Sequence, residues 1–182
     1  MPRGRVSGAL VDWQSMIGQN PTVLEIESSR DARLAVELRI EFQGVMGVAL
    51  DPASERRLRE VARAHFEHGF ADDSVAMLLA RVDGGLAGCA MLQEQRMIPN
   101  HRVPAGRTGM VLNVLVRDGF RRIGIGMALM RGIEAEGRSR GLDRLDLKAT
   151  EMGEPLYRKL GWIDASGGRP MELDLSVPVG SI

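Results

Sequence analysis

The chain has 182 residues with 24 basic and 24 acidic side chains, enough for one domain that buries about 70% of its unfolded surface. The balanced charge gives no strong pull toward nucleic acid or a membrane surface. Cys89 is the only cysteine, which excludes a disulfide framework and a Cys-based metal site, and no run approaches the ~20 apolar residues of a membrane-spanning helix.

Residues 1–20 show little periodicity and read as a loose N-terminal arm before one domain over residues 21–182. Arg3 and Arg5 resemble the start of a signal peptide, but Asp12 and Gln14 interrupt any apolar stretch, so a cytoplasmic protein is expected. Val23 to Ile26 alternates as a first strand. Leu34, Leu38, Phe42 and Met46 then recur at intervals of four, a helix that Ser29 or Asp31 can cap. Asp51-Pro52 starts a second helix, with Asp as cap and Pro in the first turn; its apolar stripe is Leu58, Val61, Ala62 and Phe66. His65 and His68 suit the negative end of that helix and read as solvated, since no third metal ligand is evident.

Val75 to Val82 and Leu86 to Gln93 are apolar runs joined by Asp83-Gly84-Gly85, a hairpin signal. Arg96 to Thr108 reads as a loop. Met110 to Val116 is apolar at nearly every position, as in a strand covered on both faces, which places Leu112 and Val114 in the core. Ile125, Leu129 and Ile133 mark a helix face, with Glu134 and Arg138, and Glu136 and Arg140, spaced by four on the solvent side. Gly141 ends it. Leu145, Leu147 and Ala149 alternate as a strand, a short helix runs from about Gly153 to Leu160, and Met171, Leu173, Leu175 and Val177 alternate as a last strand. The order β-α-α-β-β-β-α-β-α-β implies one α/β domain with a mixed sheet.

The chemistry concentrates at Arg121-Arg122-Ile123-Gly124-Ile125-Gly126, between the apolar strand and the helix. Glycines at a helix mouth let an anion approach the backbone, where free N–H groups and the helix dipole favour negative charge. Two well-known phosphate loops fail here. The nucleoside-triphosphate loop needs a Lys after its second glycine, and none follows. The dinucleotide fingerprint needs a third glycine where Leu129 stands, and the stretch from Arg117 to Ile123 is too long for its tight turn. A nucleotide-binding enzyme is therefore disfavoured.

The pattern resembles the acetyl-CoA loop of the GNAT N-acetyltransferases, [QR]-x-x-G-x-[GA], which Arg121-x-x-Gly124-x-Gly126 fits at every position. Val114-Leu115-Val116 before it resembles the family's strand, with Asp118 or Gly119 where a Pro-containing turn is usual. Downstream, Pro155-Leu156-Tyr157-Arg158-Lys159-Leu160-Gly161-Trp162 resembles the later L-Y-x-K-x-G-[FW] signature. The resemblance covers about residues 108–163. It implies a mixed, mostly antiparallel central sheet flanked by helices, and transfer of an acetyl group from acetyl-CoA to an amine by direct attack.

Carried onto this chain, the resemblance gives Arg121, Arg122, Ile123, Gly124, Ile125 and Gly126 the CoA pyrophosphate. It gives the backbone of Val114, Leu115 and Val116, at a splayed or bulged edge, the pantetheine arm and the thioester carbonyl. It makes Tyr157 the acid that protonates the departing thiolate. Asn113 either orients this region, meets substrate or is a satisfied core amide. Thr150 stands where relatives carry an Asn that bonds the cosubstrate arm, and Gly153 replaces the usual Ala, which puts a contact at Thr150 in doubt. No base is identifiable: Glu94 and Glu41 are candidates by position only, His101 lies in a loop, and Cys89 reads as core. The acceptor is a small-molecule or peptide amine, with no metal, nucleic acid or membrane partner, and a homodimer is left open. The alternative is a non-catalytic CoA-binding sensor or regulatory module on the same fold.

Overall fold

The computed structural model describes residues 23–166 and 171. The arm over residues 1–20, and all of the last strand except Met171, lie outside the described residues. Five strands form one sheet in chain order. β1 (Leu24–Ser29), β2 (Val75–Val82), β3 (Gly85–Arg96) and β4 (Arg107–Val116) pair antiparallel, and β5 (Arg144–Asp146) lies parallel to the first part of β4. Helices α1 (Ala32–Val45) and α2 (Pro52–Ala71) connect β1 to β2, α3 (Ile125–Ser139) connects β4 to β5, and α4 (Glu154–Lys159) follows.

Local chemistry explains the boundaries. The Asp31 carboxylate accepts from the N–H groups of Arg33 and Leu34 at 2.9 and 3.1 Å. Asp51 accepts from Ala53 and Ser54 at 2.8 and 3.1 Å, with Pro52 in the first turn of α2. Each cap satisfies donors that the helix start leaves free. Asp83 and Gly84 both have positive φ, 49° and 80°, as a two-residue turn matched to strand twist requires.

Side chains of β2 alternate between two cores. Ala76, Leu78, Ala80 and Val82 face α3 with Ile125, Leu129, Met130 and Ile133. Val75, Met77 and Leu79 face α1 and α2 with Leu38, Phe66 and Phe70. Full burial of such side chains stabilises by about 1.5–3 kcal/mol each.

Four expectations change. Val61 is 60% exposed, because α2 buries only Phe66, Gly69 and Phe70 near its end. The loop expected from Arg96 to Thr108 is shorter, since Gln95 pairs with Thr108 and Arg96 with Arg107. The strand expected through Ala149 stops at Asp146, although Leu147 still packs on the α3 core. Leu112 is 38% exposed, because it lines a cavity with Arg39, His65 and Phe66 of the helices α1 and α2 and is not covered by the core.

The site is positioned by β4. Its pairing with β5 covers only Thr108 to Met110, and from Val111 to Val116 no described strand lies on that side. Across from β3, Met91 pairs with Leu112 and Cys89 with Leu115, so Asn113 and Val114 together oppose Ala90. That is a bulge, and Asn113 sits in it with φ 50°.

Candidate active site

The stretch between β4 and α3 turns through a short 3₁₀ segment, Asp118–Phe120. Arg122 and Gly124 then take positive φ, 65° and 89°, and Gly124 caps α3 without any side-chain hydrogen bond. The N–H groups from Arg122 to Met127 have no acceptor among the described residues; the first helical bond is Ala128 to Gly124. Successive free N–H groups at a left-handed kink and a helix start are a geometry able to accept an anion.

The two arginines of this loop part company. Arg121 folds back: its Nε donates to Val116 O at 3.2 Å and its guanidinium pairs with Asp118 at 2.9 Å. Arg122 is exposed and has no ion-pair partner among the described residues, which leaves its charge unmatched beside the free N–H groups.

The same corner gathers α4. A Cβ built on Gly126 would lie 2.9 Å from Leu156 and 3.8 Å from Val116, so the first turn of α3 touches both α4 and the end of β4. Tyr157, the next residue, is buried against the α3 core, its ring 6.2 Å from that of Trp162. Burial pushes its phenol above the ordinary value, which keeps it protonated near neutral pH and able to donate.

β4 sends its side chains both ways. Val114 and Val116 pack toward α3, and Leu115 toward α1 and α2. The bulge places Asn113 on the same side as Leu112, where strict alternation would have turned it away. Both line a cavity of about 170 Å³ together with Arg39, His65, Phe66 and Gln93. Arg39 Nη1 donates to Asn113 Oδ1 at 2.8 Å, which ties α1 to the bulge.

The model of the acetyltransferase (GNAT) family matches residues 42–162. The chain belongs to that family. Solved GNAT-fold structures agree. A predicted acetyltransferase with acetyl-CoA from Clostridium acetobutylicum is 20% identical, with a TM-score of 0.73, covering 85% of this chain and 97% of the other. A GCN5-related N-acetyltransferase from Ralstonia eutropha JMP134 is 27% identical, with a TM-score of 0.68, covering 82% and 99%. The aminoglycoside N-acetyltransferase AAC(6')-Iy in complex with CoA is 14% identical, with a TM-score of 0.63, covering 87% and 99%. No curated protein matches the sequence.

Within this GNAT domain, neither carboxylate named as a base is free. Glu94 holds Arg107 through two hydrogen bonds, 2.8 and 3.0 Å, and the Arg107 hydrogen bond lowers its pKa. Glu41 holds Arg117 the same way, at 2.9 and 2.8 Å. Cys89 is wholly buried and its thiol is pushed up to about 12, first by desolvation and then by the charge of Glu41; its Sγ donates to Asn113 O at 3.4 Å. It is part of the packing beneath the bulge. Thr150 Oγ1 accepts from Gly153 N at 3.1 Å, so its acceptor side serves the turn into α4. His101 is exposed in the loop before β4.

The sequence reading missed Arg39 and His65 as cleft residues. A signal for Arg39 was available: it lies four residues after buried Ala35 and beside buried Leu38, so a cation stands on the packed face of an otherwise ordinary amphipathic helix. For His65 there was no signal, because only the packing of α2 on the sheet brings it to the rim.

Among the described residues no helix is long and apolar enough to cross a membrane, and no cluster of metal-ligating side chains occurs.

Proposed function

We propose that the protein is an acetyl-CoA-dependent N-acetyltransferase acting on a small amine. One observation carries this reading: a strand edge without a partner among the described residues, Val111 to Val116, leads through one short turn into a row of free backbone N–H groups at the start of α3. An extended pantetheine arm can add to that edge as a strand would, and its pyrophosphate can end on the N–H groups from Arg122 to Met127. Ile123, Gly124, Ile125 and Gly126 serve through their backbone, and Arg122 adds charge. Arg121 acts indirectly, by holding the end of β4 in place.

The cosubstrate supplies the acetyl group as a thioester. The lone pair of a neutral amine attacks the carbonyl carbon; the C–N bond forms and the C–S bond breaks. A backbone N–H in the Val114–Leu115 segment, turned by the bulge, bonds the carbonyl oxygen as negative charge grows on it. Tyr157 gives its proton to the departing sulfur, whose conjugate acid has a pKa near ~8.5. The surplus amine proton leaves through water, since Glu41 and Glu94 are both held in ion pairs, and the phenol is reprotonated from solvent.

Those ion pairs also favour a second reading, a CoA-binding module without catalysis. Calorimetry with acetyl-CoA and thiol release over a panel of amines separate the two. Binding with thiol release supports the enzyme. Binding without release from any amine supports the module, and no binding defeats both.

A further inference from the structure

The cleft on the α1 and α2 side has an unusual charge balance. Its lining contains Arg39, His65, Gln93 and Asn113 among apolar side chains, and no Asp or Glu. Most arginines near the sheet are matched: Arg107 by Glu94, Arg117 by Glu41, Arg140 by Glu136 and Arg144 by Asp146. Arg39 has no carboxylate partner among the described residues. Its one hydrogen bond uses Nη1, and the guanidinium lies 5.9 Å from the Phe42 ring centroid. The other N–H donors of its fork remain open.

A second, independent observation points the same way. Asn113 is 3% exposed, and its Nδ2 is the one buried side-chain polar atom without a partner among the described residues. Because Arg39 must donate to an oxygen, the amide orientation is fixed, and the end left open is the donor. Arg39 and Asn113 thus present unmatched N–H groups and one positive charge, and the site lacks an acceptor. A buried donor is satisfied by a ligand oxygen, most strongly by a charged one.

We propose that the acceptor amine carries a carboxylate, and that Arg39 together with Asn113 Nδ2 binds it. This rests on the acetyl-transfer reading and names its substrate class: a small amino acid, its amine facing the bulge and its side chain against Phe66 and Leu112. The cavity, about 170 Å³, is smaller than the ~300–1,000 Å³ of sites for drug-sized ligands. The positive charge disfavours polyamines and other multiply charged cations, which a site of this kind would need carboxylates to hold.

The test uses sets of three acceptors that share a side chain: the amino acid, its carboxamide and the decarboxylated amine. Each is measured on the full chain and on Arg39→Gln and Asn113→Asp. The second variant keeps a residue type tolerated at positive φ and places a negative charge where the carboxylate would bind. For wild type, kcat/KM should favour the amino acid over both analogues. Arg39→Gln should lower kcat/KM for the amino acid by about 10²-fold or more and for the decarboxylated amine by less than about 3-fold, the pattern of a lost charge-specific contact. Acetyl-CoA affinity should stay unchanged. Asn113→Asp should reverse the preference.

Wild type that uses the decarboxylated amine as well as the amino acid, or a loss in Arg39→Gln that is equal across all three, overturns the proposal. If acetyl-CoA binds but no amine releases thiol, the catalytic reading has failed by itself. Calorimetry of the three compounds in the presence of CoA then decides the remainder: amino-acid binding that Arg39→Gln abolishes sustains the carboxylate site, and binding of none, or of all equally, overturns it.

Discussion

The two sides of β4 solve recognition in opposite ways. Toward α3, the donors belong to the backbone, and no described side chain meets the N–H groups from Arg122 to Met127. Toward α1 and α2, the polar groups belong to side chains, and several charges there are already matched: Glu41 by Arg117, Glu94 by Arg107, Glu37 and Glu55 by Arg59. Arg39, on the cavity wall, has no carboxylate partner among the described residues. A backbone site tolerates side-chain change and suits a constant cosubstrate. A side-chain site changes with each substitution and suits a variable acceptor. The bulge joins the two, since it keeps Asn113 on the cavity side while Val114 packs toward α3.

The comparison breaks most sharply at Tyr157. Tyr157→Phe keeps the ring and its packing on Trp162 and removes the proton donor. Turnover under chemistry-limited conditions should fall by roughly 10²–10⁴-fold with acetyl-CoA affinity little changed. Steady-state rates beside direct binding measure this; near-wild-type turnover would leave water to protonate the thiolate. The raised phenol pKa also places any loss of acid function on the alkaline side of the ordinary Tyr range near ~10, so the rate should not decline through pH 7–9 on account of this group. A falling limb in that window that disappears in Tyr157→Phe would contradict the direction given.

The backbone side is tested next by Gly124→Glu. A carboxylate at the mouth of α3 repels the pyrophosphate, and a non-glycine residue at φ 89° adds about 1–2 kcal/mol of left-handed strain. Acetyl-CoA affinity should fall by about 10²-fold or more, since each charge-assisted hydrogen bond contributes ~1.5–3 kcal/mol. A folded variant that binds normally in calorimetry would show that the N–H row is not the anion site. Gly126→Ala sharpens the same point: its Cβ meets Leu156, a side chain that can shift, so binding should suffer less than at Gly124.

Two neighbours on β4 separate core from cleft. Leu115 is 3% exposed and Leu112 38% exposed. Leu115→Ala should cost about 2–5 kcal/mol, as a cavity in packed surroundings does, and Leu112→Ala less than about 1 kcal/mol while it alters acceptor affinity. Denaturation midpoints at constant slope measure both; equal losses would return Leu112 to the core.

The smallest effect concerns Glu94. Its folded pKa is depressed, first by the hydrogen bond from Arg107. Its stabilisation is therefore present above the unfolded value of about 4.3 and is lost as pH falls through the lowered folded value. Glu94→Gln should flatten the stability profile in that acid window and leave acetyl transfer at neutral pH intact. An unaltered acid profile would mean that the Arg107 pair contributes nothing to folding.

Element order among the described residues, both helix caps, the hairpin and the glycine-led start of α3 were legible because each depends on neighbours in sequence. Asp31, Asp51, Asp83-Gly84 and Gly124 act over two to four residues, and the apolar periods of α3 and β2 mark which faces are covered. The free N–H groups follow from the same local geometry. Leu112, Val61 and the reach of β5 were misread because alternation tells which way a side chain points and not what stands opposite it.

What only the tertiary structure decided is the side proposed for the acceptor. Arg39 and Asn113 are far apart in sequence and meet because α1 packs across a bulge in β4, whose register is set by pairing with β3. The ion pairs of Glu41 and Glu94 join residues on different elements, and no local pattern encodes them. The sequence by itself determined a fold and a helix start with free backbone N–H groups, since caps, turns and glycines act through adjacent bonds. The chemistry of the second substrate was left to long-range packing, because side chains select a ligand only once the fold has brought them together.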